Sequence, residues 1–124
     1  MTMQTNEFAG RGSTTYDGPQ DEASYFRWLV GKYGMENVLK FPPATVVQFQ
    51  DQPNIEYVVM GYCRTKAGIG LHLVDIADYN QGYERAVDCC RDYCPHEVEQ
   101  LVVVRSLNSP ERNQQMLDMI RSCG

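Results

Sequence analysis

Apolar residues at helical spacing open the patterned part of the chain: Phe26, Leu29, Val30 and Tyr33 recur on one face, and Tyr25 and Trp28 widen it. Pro19 suits the first helical position, Asp21 and Glu22 place negative charge where the helix dipole favours it, and Gly34 suits the end. Pro42 and Pro43 then break the chain ahead of an extended run from Thr45 to Gln50. From Ile55 to Cys63, Ile55, Tyr57, Val59 and Cys63 alternate with Glu56, Val58, Met60 and Tyr62, which predicts a strand whose second face is only partly polar. RTKAG reads as a hairpin loop. The next run, Ile69 to Ala77, is apolar on both faces, the pattern of a central strand covered on both sides. Gln81 to Cys94 predicts an amphipathic helix with Tyr83, Ala86, Val87, Cys90 and Cys94 inward and Pro95 at its end. Glu99 to Leu107 reads as a last strand with LVVV as its buried heart. Ser109, Pro110 and Glu111 open a final helix striped by Met116, Leu117 and Ile120.

The predicted order is αβββαβα: a single α/β (α+β) domain over 19–124, with a mixed four-stranded sheet flanked by helices. Residues 1–18 are poor in apolar side chains and rich in Gly, Thr and Ser, the composition of a flexible N-terminal arm.

Charge narrows the partners. Eleven basic against 16 acidic residues give a net charge of −5, which argues against nucleic acid, whose affinity rests on neutralising phosphates. Arg64 and Lys66 share one loop, and two cations do not make a binding face. No apolar run approaches the ~20 residues that cross a bilayer, and no membrane partner is expected. The N-terminus lacks the basic and apolar regions of a secretion signal. The five cysteines, an odd set, lack the spacing of a secreted disulfide framework. A cytoplasmic, reducing location is expected.

Two constellations invite chemistry. Pro53-Asn54 precedes the second strand, and Asp75-Ile76-Ala77 ends the third, followed by GYERAVDCCRDYC. In this order the chain resembles, over Asp21 to Val104, the core of the P-D…(D/E)-x-K endonuclease-like family. The resemblance implies a divalent-metal site at Asn54, Glu56 and Asp75, where metal-bound water becomes a nucleophile. The chain departs from the pattern at two positions: Asn54 has no anionic oxygen and Ala77 no amine, so the implied site is degenerate. The second constellation, Cys89, Cys90, Cys94 and His96, invites zinc. Helix polarity assigns Cys90 and Cys94 to the core stripe, so packing thiols are expected, with no metal and no cofactor. His72 reads as a core histidine.

Eight tyrosines are many for this length, and Tyr favours interfaces because it joins an apolar face to a hydrogen-bonding tip. With no complete catalytic set, the leading expectation is a non-enzymatic interaction or assembly component, with a protein partner or a homo-oligomer. Its contacts are placed at Phe8 and Tyr16, joined by Trp28 and Tyr33 if the first helix is incompletely covered. A nuclease-like domain with a weakened metal site is the alternative. A third is an acidic dimeric chaperone: the chain resembles small secretion chaperones in size, acidity and helix-strand-strand-strand-helix order, but lacks their strand pair after the second helix.

Overall fold

The computed structural model describes residues 21–123. The N-terminal arm, with Phe8 and Tyr16, lies outside them. Helix α1 (Glu22–Tyr33) starts where the Asp21 carboxylate accepts from the Ser24 N–H at 3.0 Å, filling one of the orphan donors of a helix start. It ends at Gly34, whose φ of 91° is strained for any residue with a Cβ. Helix α2 (Met35–Lys40) follows directly. After Pro42 and Pro43 come strands β1 (Thr45–Phe49), β2 (Tyr57–Thr65) and β3 (Gly68–Asp75). A single turn, α3 (Ile76–Tyr79), and helix α4 (Tyr83–Cys89) lead to a three-residue strand β4 (Arg91–Tyr93). The turn α5 (Pro95–Val98), strand β5 (Leu101–Ser106) and helix α6 (Pro110–Arg121) complete the described chain.

The sheet has five strands in the order β4-β3-β2-β1-β5, and every neighbouring pair is antiparallel. The mixed four-stranded sheet expected from the sequence is therefore corrected on both counts. The extra strand comes from the segment read as the end of a helix over 81–94. Two physical effects cut that helix short. Cys94 precedes Pro95, and the proline ring disfavours helical backbone at the residue before it; Cys94 is extended, with ψ of 162°. The edge of β3 also offers backbone groups that need partners, and Arg91–Tyr93 supplies them opposite Leu73, His72 and Leu71.

One sheet face carries the main core. Tyr25, Phe26, Leu29 and Tyr33 of α1, Val38 of α2, and Met116 and Ile120 of α6 pack on Val47, Val59, Tyr62, Leu71 and Leu73. The other face holds a smaller cluster of Val46, Val58, Met60 and Val74 beneath Ala86 of α4, with Cys89 and Cys90 packed against it. The both-faces-apolar reading of β3 thus matches the structure. The sheet also curls. Phe49 of β1 and Tyr93 of β4 meet with ring centroids 5.5 Å apart, although three strand spacings of a flat sheet would separate their backbones by about 14 Å. Among the described residues, no helix is long and apolar enough to cross a membrane.

Candidate functional site

Strand β5 departs most from its expected environment. Its LVVV run, read from sequence as buried, is mostly on the surface: Leu101 packs against the main core, but Val102, Val103 and Val104 are 48%, 51% and 40% exposed. Sheet order explains this. β5 pairs only with β1, outside the region roofed by α1, α2 and α6 on one face and by α4 on the other. A register shift at Val46/Val47 leaves Val104 out of the pairing with β1. β5 contains no Pro, Gly or Lys, the residues with which natural edge strands discourage pairing. Its one charge, Arg105, is paired with Glu56 at 2.8 Å. Three consecutive apolar, β-branched side chains therefore border a strand edge that the described residues leave without a neighbour.

The start of the described chain is tied to the helix that follows β5. Glu22, the first residue of α1, is ion-paired with Arg112 in the first turn of α6, and α6 begins shortly after β5 ends. The first turns of α1 and α6 are thereby held together.

The Glu56–Arg105 pair gives an acid-side signature. The hydrogen bond from Arg105 holds the Glu56 carboxyl below its ordinary value of 4.5, partial desolvation opposes it, and the Arg105 charge adds to the lowering. A carboxyl depressed in the folded state stabilises the fold above its unfolded value, and that contribution disappears as pH falls through the folded value. Glu56→Gln is expected to make the loss of stability below about pH 4.5 shallower, with little effect at neutral pH, as read by urea melts across the acid range.

The residues singled out by the nuclease-like resemblance do come together. Asn54, Glu56, Asp75 and Ala77 line one open concavity of about 430 Å³ with Gln48, Pro53, Ile55 and Ile76. Its two carboxylates are engaged, however. Asp75 caps α3 by accepting from the Ala77 N–H at 2.8 Å, and Glu56 receives Arg105.

The contact aromatics of α1 divide. Tyr33 is buried in the core against Tyr62, with ring centroids 5.4 Å apart, so the helix covers it and the condition set for its contact role is not met. Trp28 is half-buried, stacked on Tyr25 at 6.0 Å.

Cys89, Cys90, Cys94 and His96 are not gathered as one donor set. Among the described residues, the group whose ligand atoms lie within 4.8 Å of one another is Cys63, His72 and Asp92. Sequence reasoning missed it because Asp92 sat inside the expected helix. The available signal was His72 itself, a polar side chain in a strand apolar on both faces. His72 is 0% exposed and its Nδ1 lies 2.5 Å from an Asp92 carboxylate oxygen; the Asp92 side chain is 62% exposed. Burial lowers the His72 pKa, with Asp92 opposing. Burial pushes the Cys63 thiol up to about 11, and the Asp92 charge adds to this. A thiol so disfavoured as thiolate is a poor nucleophile at neutral pH, despite its His–Asp neighbours.

No protein-family model, no curated protein and no solved structure matches the chain.

Proposed function

We propose that the chain is a non-enzymatic interaction or assembly protein that accepts an extended segment along the free edge of β5. The exposure of Val102, Val103 and Val104 on a strand paired from one side only is the observation that carries this reading. In strand addition, the open edge supplies backbone hydrogen bonds, and the apolar side chains flanking it supply affinity and register.

The occupant assigned here is residues 1–20 of a second copy. Twenty residues reach about 66 Å when extended, several times the roughly 20 Å of a six-residue strand. The segment carries Phe8 and Tyr16 for the valines, and its Ser13-Thr14-Thr15-Tyr16 stretch favours extended backbone. A chain's own segment, entering α1 near the start of α6, would reach β5 by its shortest route in the parallel direction. A second copy's segment is free to run antiparallel, the slightly more stable pairing. Mutual exchange of identical segments closes a twofold dimer in which β5 of each copy gains a second neighbour.

Light scattering on purified protein tests this. The full chain is expected at dimer mass, and both the deletion of residues 1–18 and Val103→Lys are expected at monomer mass with unchanged far-UV circular dichroism. A monomeric full chain, or a dimer that survives both changes, would overturn the assignment.

A further inference from the structure

We infer that Cys63, His72, Asp92 and Cys94 form a zinc site that clamps β4 onto the sheet. The placement follows from register. On β3, Gly70 and His72 point to one face; across the ladder to β2 they stand opposite Cys63 and Gly61, and His72 stands opposite Asp92 of β4. Leu71 pairs with Tyr93, so one step further brings Cys94 level with Gly70. Cys94 keeps extended backbone, and the strand alternation therefore carries it to the same face as Asp92. Two thiols, an imidazole and a carboxylate thus surround a small patch floored by Gly61 and Gly70.

Three of these donors already lie within 4.8 Å of one another. Tetrahedral zinc with its usual bond lengths holds ligand atoms roughly 3.3–3.8 Å apart, so side-chain adjustment suffices. Gly70 makes the convergence possible: an ideal Cβ there would overlap the Tyr93 carbonyl oxygen and lie 3.3 Å from the Cys63 sulfur. Only the absence of a side chain lets β4 approach this closely.

The donor set selects the ion. Mixed thiolate, imidazole and carboxylate ligands in a compact site suit zinc, whereas magnesium and calcium prefer all-oxygen shells. Binding releases one proton from each thiol to solvent, and two thiolates with one carboxylate then leave the zinc site at a single negative charge. A clamp here has a mechanical purpose: β4 holds to the sheet through only three residues.

The test uses the full chain, stripped by a chelator and titrated with Zn²⁺ against a chromophoric competitor, then with Co²⁺. One zinc per chain is expected, with a cobalt spectrum showing the intense visible bands of tetrahedral geometry and thiolate charge transfer in the near ultraviolet. Cys94→Ser and Asp92→Asn, both on the accessible side, are expected to weaken zinc binding by about tenfold or more while circular dichroism is unchanged. Cys89→Ser and Cys123→Ser are expected to bind like the parent chain. Sub-stoichiometric zinc, a weak six-coordinate cobalt spectrum, or equal loss in Cys89→Ser and Cys94→Ser would overturn the site. So would a mass showing Cys63 and Cys94 already joined as a disulfide in freshly purified protein.

Discussion

Gly70→Ala is expected to detach β4 from the sheet. The added methyl would overlap the Tyr93 carbonyl oxygen and sit 3.1 Å from its carbonyl carbon. Both atoms are backbone, so no side-chain rotation relieves the clash. Overpacking of this kind costs about 1–3 kcal/mol, and more where a strand must move. The ladder bonds opposite Leu71, His72 and Leu73 go with it. Urea melts should report a loss of about 3 kcal/mol, and hydrogen exchange should show amides on the β4 side of β3 losing protection. Gly31→Ala is the control. Gly31 lies within α1, and a methyl added there would meet nothing within 4 Å, so alanine is expected to gain about 0.5–1 kcal/mol. Gly70→Ala within error of the parent chain would contradict the close approach.

Tyr62→Ala is expected to cost about 3–5 kcal/mol, among the largest effects of any single side chain here. Tyr62 is fully buried at the centre of the main core, its ring against Tyr33 and its hydroxyl donating to the Phe41 carbonyl at 2.6 Å. The ring fills the space between strand β2 and helix α1; the hydroxyl fixes the turn between α2 and the prolines. Tyr62→Phe separates the two contributions. It keeps the ring and leaves the Phe41 carbonyl without that donor, at an expected cost of about 1–3 kcal/mol. Equal losses for the two variants would mean that the ring contributes nothing beyond its hydroxyl, against the packing described above.

Local chemistry made part of this fold legible from sequence. Asp21, Ser109 with Pro110, and Gly34 mark helix ends by mechanisms that act over three or four residues, and the structure places caps at all of them. The start of α1 differs from expectation because Asp21 caps the helix from outside instead of occupying its first turn. The β2–β3 hairpin was legible for the same reason, since its turn and alternation are local. β4 was not. Tyr83 to Cys94 has sound helical periodicity, and what overrides it is a need that exists only after folding, the unpaired edge of β3. The exposure of β5 was illegible because an LVVV run has the same composition on an open edge as in a buried centre; only the strand order tells them apart. The donor cluster shares that origin. Its members come from three strands, and one of those strands was hidden inside a helical pattern.

Strand order also sets the sequence in which the sheet can assemble. β2 and β3 are joined by a two-residue turn between Thr65 and Gly68, so their ladder closes at small entropic expense. β1 pairs with β5, about fifty residues further along the chain, and that joint closes only after a long loop has been ordered. During synthesis the outer edge of β1 therefore waits, bare, until Leu101 to Ser106 has emerged. The same valines that border the open edge of the finished sheet are the residues whose late arrival completes it.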